Sequence, residues 1–98
     1  MSFSVNIIER KDTILTNICD ADLLDKNITT ESLNLHISPK YYGGDVIGIS
    51  EAETLLRKST ILNMVGQNII SLSLKLGIGS TGAVKKINNT QFLIVYKM

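Results

Sequence analysis

The chain has few side chains that could carry out covalent chemistry, because its 98 residues include one cysteine, Cys19, and one histidine, His36. A nucleophile needs a base beside it, and these two residues could supply that pair only if folding brought them together. Cys19 follows an apolar run, where cysteine is usually a packing residue, and His36 lies in an alternating strand-like segment. We therefore predict a protein that is not an enzyme, and keep a small enzyme using Cys19 and His36 as an alternative.

A divalent cation is the second chemistry that the sequence allows, through Asp20, Asp22 and Asp25 in the segment CDADLLDK. These acids lack the ligand density, the glycine and the terminal glutamate of a calcium loop. Capping of a short helical turn by Asp20 or Asp22 accounts for two of these acids, and a weak magnesium site is the alternative. We predict no metal site and no cofactor.

The segment GIGSTG, residues 77–82, matches the spacing of the dinucleotide-binding pattern G-x-G-x-x-G. That pattern needs a strand before it and a helix after it, so that the helix N-terminus faces the phosphates. Here a predicted helix precedes the glycines and a predicted strand follows them. The segment is therefore interpreted as a connector in which Gly77 ends the helix.

Charge is distributed unevenly along a chain whose formal net charge is only +1. Residues 1–53 contain all nine acids and four bases, whereas residues 54–98 contain six bases and no acid. Such an asymmetry can produce an electropositive surface for a polyanion. The alternative is that folding interleaves the two halves and mixes their charges.

Two tyrosines next to two glycines, Tyr41-Tyr42-Gly43-Gly44, could present aromatic rings for stacking on single-stranded RNA. The alternative for each ring is that it covers the edge of the core. The predicted nucleic-acid contacts comprise four cations for phosphates and four polar or stacking residues: Arg57, Lys75, Lys85, Lys86, Asn63, Gln67, Tyr41 and Tyr42.

The stretch Ser50 to Gly77 predicts the main helical segment. Ser50 and Glu53 have the spacing of a capping box, so the helix should begin at about Glu51. Apolar residues recur every seven positions along it, at Leu55, Leu62, Ile69 and Leu76. A straight helix from Glu51 to Leu76 would be about 39 Å long, too long for a domain whose radius of gyration is about 13 Å. A kink or break near Gly66 is therefore expected.

The remaining segments predict strands. Ser2 to Glu9 and Thr13 to Cys19 alternate and should form a hairpin. A third strand is predicted from Glu31 to Ser38, where Pro39 ends it. Two strands, Gly82 to Ile87 and Gln91 to Lys97, flank a turn at Asn88-Asn89. We predict one α+β domain over residues 1–98, with about five strands in an antiparallel or mixed sheet and one long or kinked helical segment on one face.

The N-terminus has no basic region followed by an apolar run, and no stretch reaches the 18 uninterrupted apolar residues of a membrane span. A single cysteine excludes an internal disulfide and fits a reducing compartment. The prediction is a cytoplasmic protein with no membrane association.

Three stretches taken together resemble the small archaeal proteins of domain-of-unknown-function family 424: CDADLLDK at 19–26, YYGG at 41–44 and NMVGQ at 63–67. The family's usual pattern has a glycine before the lysine of the first stretch, where this chain has Asp25. The resemblance implies an archaeal, cytoplasmic α+β protein linked with translation or RNA, and it supplies no catalytic residues.

The function predicted from the acid-free C-terminal half and from this resemblance is a non-catalytic RNA-binding or ribosome-associated module in translation. The RNA partner could be ribosomal. The alternative is a protein-interaction module, in which the acidic first half meets a basic translation factor or ribosomal protein.

Overall fold

The computed structural model describes residues 1–97. Its first strands and short helix are β1 (Phe3–Arg10), β2 (Thr13–Asp20), β3 (Asn27–Thr29), β4 (Asn34–His36), α1 (Pro39–Tyr42) and β5 (Asp45–Ile47). The later elements are α2 (Ile49–Lys58), β6 (Ile61–Val65), α3 (Gln67–Lys75), β7 (Lys85–Ile87) and β8 (Thr90–Tyr96). Short 3₁₀ turns occupy Ala21–Leu23 and Thr81–Ala83.

The predicted α+β class with a mixed sheet is confirmed, although the main sheet has six strands instead of about five. Its strand order is β5-β1-β2-β6-β8-β7, and β3 and β4 form a separate two-stranded sheet. The β2–β6 pair is parallel, and the other pairs in both sheets are antiparallel. The predicted third strand is much shorter than expected, because only Asn34–His36 pairs, and it pairs in the small sheet.

The predicted hairpin and the predicted turn at Asn88-Asn89 are confirmed, and the two strands that flank this turn also pair. β1 and β2 pair over their full lengths, from Phe3 opposite Asp20 to Arg10 opposite Thr13. In the second hairpin Ile87 lies opposite Thr90, so the connection is the two-residue turn Asn88-Asn89. Both asparagines have positive φ, 47° and 68°, as a type I′ turn requires.

The prediction of one helical segment from Glu51 to Leu76 is wrong in its middle, where Ile61–Val65 is the strand β6. This strand pairs with β2 on one side and β8 on the other. Leu62 and Met64 face α2 and α3, while Val65 packs on the opposite side of the sheet. Burial on both faces outweighs the weak helix propensity of five residues, and the seven-residue apolar spacing happened to span two helices and the strand between them.

Glycines stand at three helix termini: before α2, before α3 and after α3. Gly48 is the N-cap of α2, so Ser50 already lies inside the helix and the predicted capping box does not form. The expected break near Gly66 does occur, but as a turn from β6 into α3 with Gly66 at φ +120°. Gly77, at φ +78°, ends α3 as predicted: its N–H donates to Leu74 O, and Ile78 N–H donates to Ser73 O at 2.9 Å, which is a Schellman motif.

Two apolar clusters cover the two faces of the main sheet. On the helix face, α2 and α3 pack on Phe3, Ile18, Leu62, Met64 and Leu93. On the opposite face, residues of the small sheet, α1 and the first 3₁₀ turn pack around Cys19 and Val65. Within residues 1–97, no helix has the length and apolar content needed to cross a bilayer.

Candidate nucleic-acid interface

The face of the main sheet opposite α2 and α3 is covered only near the carboxyl ends of β2 and β6. Strand register places two rows of side chains beyond this cover, on β1, β2, β6 and β8. The first row is Asn6, Asn17, Asn63 and Ile94, and the second is Ile8, Leu15, Ile61 and Tyr96. We call these eight residues the platform.

The platform exposes apolar surface next to amide groups. Tyr96 is 68% exposed, Ile94 54% and Ile8 37%. Asn17, on β2, is buried. Single exposed apolar residues are common on soluble proteins, but a contiguous apolar patch marks a site of interaction. The platform is therefore the candidate interface.

The tyrosine pair lies in α1, at the border between the covered part of this face and the platform. Tyr41 is 63% exposed. Tyr42 is half-buried, packs with the Cys19 cluster, and its hydroxyl is hydrogen-bonded to the Asn63 side chain. Desolvation raises the pKa of Tyr42, and the bond to Asn63 opposes that shift. Tyr42 therefore covers the core edge, as the alternative interpretation held, and Tyr41 remains available for stacking.

The glycines after the tyrosines are required by close contacts. A Cβ on Gly43 would lie 2.4 Å from Pro39 O, and a Cβ on Gly44, which has φ +143°, would lie 2.9 Å from Val5 O. Ser38 fixes the other end of α1, because its Oγ accepts from Lys40 N–H at 3.1 Å. The Gly44 end of the YYGG stretch thus lies against β1, while Ser38 caps the start of α1.

The four predicted phosphate-binding cations do not share one surface. Lys85 lies opposite Phe92, on the platform side of the sheet, and Lys86 lies on the other side. Arg57 and Lys75 lie in the last turns of α2 and α3. Cations there complement the negative end of the helix dipole.

The same role belongs to Lys97, whose Nζ donates to Leu56 O and, at 3.0 Å, to Arg57 O. Half of the six cations in residues 54–98, namely Arg57, Lys75 and Lys97, therefore lie at the C-terminal ends of α2 and α3. Only Lys85 of the four predicted cations lies beside the platform, where register also places Arg10, a residue that the sequence analysis did not select.

Gln67 is separate from the platform, at the start of α3, where it lines a polar cleft of about 220 Å³ together with Asp20, Gly66 and Asn68. The Asp20 carboxylate accepts hydrogen bonds from Asn68 N–H at 2.9 Å and Ile69 N–H at 2.8 Å. Burial raises the pKa of Asp20, and these two bonds oppose the shift. Because an internal carboxylate already occupies this helix N-terminus, the cleft is a poor site for a phosphate.

Asp20 thus acts differently from the prediction. It is the N-cap residue of the turn Ala21–Leu23 but makes no side-chain bond to that turn, and its carboxylate caps α3, 48 residues away, instead. Gly66 makes this approach possible, since a Cβ there would lie 2.4 Å from Asp20 Cγ. Among residues 1–97, no three histidine, cysteine, aspartate or glutamate side chains are placed to share a metal ion.

Cys19 and His36 do not form a nucleophile–base pair. Cys19 is fully buried, and desolvation together with the nearby Asp20 charge raises its pKa to about 12, so the thiol stays protonated. His36 is exposed, and its Nε2 lies 2.6 Å from Asp25 Oδ1. Asp25 has φ +68°, so the turn forms with an aspartate in a conformation that favours glycine.

The model of a family of proteins of unknown function, DUF424, matches residues 8–98. The chain belongs to the DUF424 family. The match includes all three stretches on which the resemblance rested. In the structure of this DUF424 protein, CDADLLDK joins β2 to the small sheet, YYGG borders the platform, and NMVGQ leads from β6 into α3.

A crystal structure described as an uncharacterized conserved protein from Methanopyrus kandleri has the same fold. The TM-score is 0.79 at 19% sequence identity, over 100% of this chain and 95% of that chain. A comparison with curated proteins found no match.

Most platform residues were missed by sequence reasoning, although a signal was present. The hairpin carries adjacent apolar residues at Ile7-Ile8 and Ile14-Leu15, so both of its faces are apolar. A surface hairpin needs only one such face. The second apolar face of the hairpin indicated that a further layer of the protein, or a ligand, packs on it. In the structure, the small sheet, α1 and the first 3₁₀ turn cover only part of this face.

Proposed function

We propose that this DUF424 protein is a non-catalytic module that binds single-stranded RNA on the platform, in association with the translation machinery. The observation that carries the proposal is the exposed pair Tyr96 and Ile94 beside a row of three asparagines on an uncovered part of the sheet. Single-stranded RNA is recognised by other proteins through aromatic stacking on such sheet surfaces.

The side chains supply the contacts that unpaired bases need. Tyr96, on the platform, and Tyr41, in α1, are both exposed and present rings for stacking. The amides of Asn6 and Asn63 offer donors and acceptors to base edges. Arg10 and Lys85 are exposed cations on this side of the sheet and can contact phosphates.

The number of cations sets the expected salt dependence. Two phosphate contacts on a single strand correspond to a slope of log K against log salt of about −1.4. Such a shallow slope is expected for a short single strand. A duplex keeps its bases stacked, so a protein binds it mainly through phosphate contacts, which would make the slope steeper. The four cations first predicted would have given a steeper slope of about −2.8.

Fluorescence anisotropy with labelled single strands from archaeal ribosomal RNA, at several salt concentrations, tests the proposal. Tyr96→Ala should weaken binding about tenfold, because stacking contributes roughly 1–3 kcal/mol per base. Lys85→Ala should weaken binding and lower the salt slope by about 0.7. Lys75→Ala, which removes the same charge at the end of α3, should change neither.

Three results would contradict the proposal: no binding to any strand, equal affinity for the duplex of the same sequence, or equal effects of Lys75→Ala and Lys85→Ala.

Protein binding is a second candidate, favoured by one observation: Ile8, Leu15, Ile61 and Ile94 make half of the platform purely aliphatic. Affinity purification with and without nuclease separates the two functions. Partners lost with the RNA support RNA binding. Partners that survive nuclease and are lost on Ile94→Lys support a protein interface.

A further inference from the structure

The outer edge of β1 is only partly paired among residues 1–97. β5 pairs with Phe3, Ser4 and Val5, and the register ends there. The backbone of Asn6–Arg10 therefore has strand geometry and a neighbour on the β2 side alone. A free strand edge is a template for another strand.

This edge lacks the usual protection. Ile7 and Ile8, on opposite faces of the strand, are each 37% exposed. No proline or lysine interrupts Asn6–Arg10, and its charges, Glu9 and Arg10, are confined to one end. Beside it on the helix face lies a groove of about 300 Å³, lined by the apolar residues Val5, Ile7, Ile47 and Leu55, by Thr54, and by the charged residues Asp45, Glu51 and Lys58.

We propose that a second copy of this chain adds its own β1 to this edge, antiparallel and about a two-fold axis, with Ile8 facing Ile8 of the second copy. Both free stretches have the same length, and only this register overlaps them fully: Asn6 with Arg10, Ile7 with Glu9, and Ile8 with itself. A shift by two residues one way places Glu9 against Glu9, and a shift the other way drives the added strand into β5.

Two contacts between opposite charges, added to the matching register, favour a second copy as the occupant. Opposite residues of an antiparallel pair share one face of the sheet, so the second copy's Glu9 lies beside Ile7 on the helix face, at the groove whose lining contains one cation, Lys58, and two acids, Asp45 and Glu51. The proposed contact of Glu9 is with Lys58. Lys11 of the second copy then reaches the start of β5, where Asp45 is exposed. The two-fold axis repeats each pair of opposite charges.

The other sheet edge does not offer the same fit. β7 pairs only with Thr90, Gln91 and Phe92, so β8 is also free beyond that point on its outer side among the described residues. Residues 54–98 contain no acid, and the bases Lys86 and Lys97 lie on or next to this edge. Two-fold contact through β8 would bring like charges together.

Pairing through β1 would join the two main sheets into one and bring the Ile8 ends of the two platforms together. The second row of side chains would then run without interruption from Tyr96 of one copy to Tyr96 of the other. The surface available to a ligand would double without any change in the fold.

Sedimentation velocity on the purified full chain, freed of nucleic acid by nuclease, tests the pairing independently of RNA binding. The wild type should sediment as a dimer that dissociates on dilution. Glu9→Lys and Lys58→Glu should each raise the dimer Kd about a hundredfold, since each changes two symmetry-related contacts and each like-charge contact weakens association about tenfold. The double variant, with the charges exchanged, should recover the wild-type Kd.

Arg57→Glu is the matched control, because it makes the same charge change on the neighbouring residue of α2, which does not line the groove. It should leave the dimer Kd unchanged. The proposal is overturned by a monomer at every concentration, by a double variant that associates no better than the single variants, or by an Arg57→Glu effect equal to that of Lys58→Glu.

Discussion

The Asp20 side chain packs directly against the backbone of Gly66 and leaves no space there for a Cβ atom. Gly66 combines φ +120° with a virtual Cβ position 2.4 Å from Asp20 Cγ, and that carboxylate caps α3. The contact joins the carboxyl ends of the two parallel strands to the helix that follows. Because Gly66 has no Cβ, the Asp20 carboxylate can reach α3, and its hydrogen bonds connect β2 to the start of that helix.

Gly66→Ala should lower the free energy of unfolding by about 3 kcal/mol, because the positive φ and the overlap with Asp20 both penalise a side chain. Urea unfolding followed by circular dichroism measures the change. Gly82→Ala is the control, since a Cβ there meets nothing within 4 Å, and its effect should stay within about 0.5 kcal/mol. Equal stabilities for the two variants would contradict the contact.

Cys19 should be inert in the folded protein. Its pKa is about 12 in the folded chain against 9.0 as the reference value, so its contribution to stability is fully present below pH 9 and is lost as the pH rises from 9 towards 12. Thiol labelling near neutral pH should occur only on unfolding, and Cys19→Ala should remove this part of the alkaline loss of stability. Rapid labelling of the native protein, abolished by His36→Ala, would instead revive the nucleophile pair.

Single residues were predictable from sequence where the cause is local. Gly77 as a helix end and Asn88-Asn89 as a turn need only neighbouring residues, and both are confirmed. The cap that Asp20 provides to α3 joins residues 48 positions apart, so no local pattern could reveal it.

At the scale of elements, β6 is the strand around which the chain is assembled. It lies between β2 and β8 and is entered from α2 and left into α3. Its five residues alternate Leu62 and Met64 against Ile61, Asn63 and Val65, a period of two that the longer seven-residue spacing concealed. Sequence reasoning found the two flanking helical segments correctly, and only the tertiary pairing decides that the residues between them form a strand.

Amide hydrogen exchange tests this assignment. The amides of Leu62, Met64 and Val65 should be among the slowest to exchange, because β6 is paired on both sides and these side chains are buried. The amides of Lys85 and Lys86, in a short edge strand, should exchange much faster. Exchange from β6 as fast as from β7 would contradict the central position of β6.

At the scale of the whole molecule, much of the uneven charge of the sequence is accounted for by helix termini. Arg57, Lys75 and Lys97 lie at the ends of α2 and α3, where they complement helix termini. Composition reports how many bases each half contains, whereas the side of the sheet that each one occupies depends on strand register. Lys85 and Asn63 were selected from sequence, whereas Arg10, Asn6 and Asn17 come to the same side of the sheet only through strand register and could not be selected.

The most direct test of RNA binding on the platform is the mapping of amide chemical shifts in a ¹H–¹⁵N spectrum during titration with a single-stranded RNA. Shifts are expected at Asn6, Asn63, Ile94 and Tyr96 and at Tyr41, and none at the exposed side of α2 and α3, around Arg57 and Lys75. Shifts confined to α2 and α3, or a spectrum that does not change, would contradict the account.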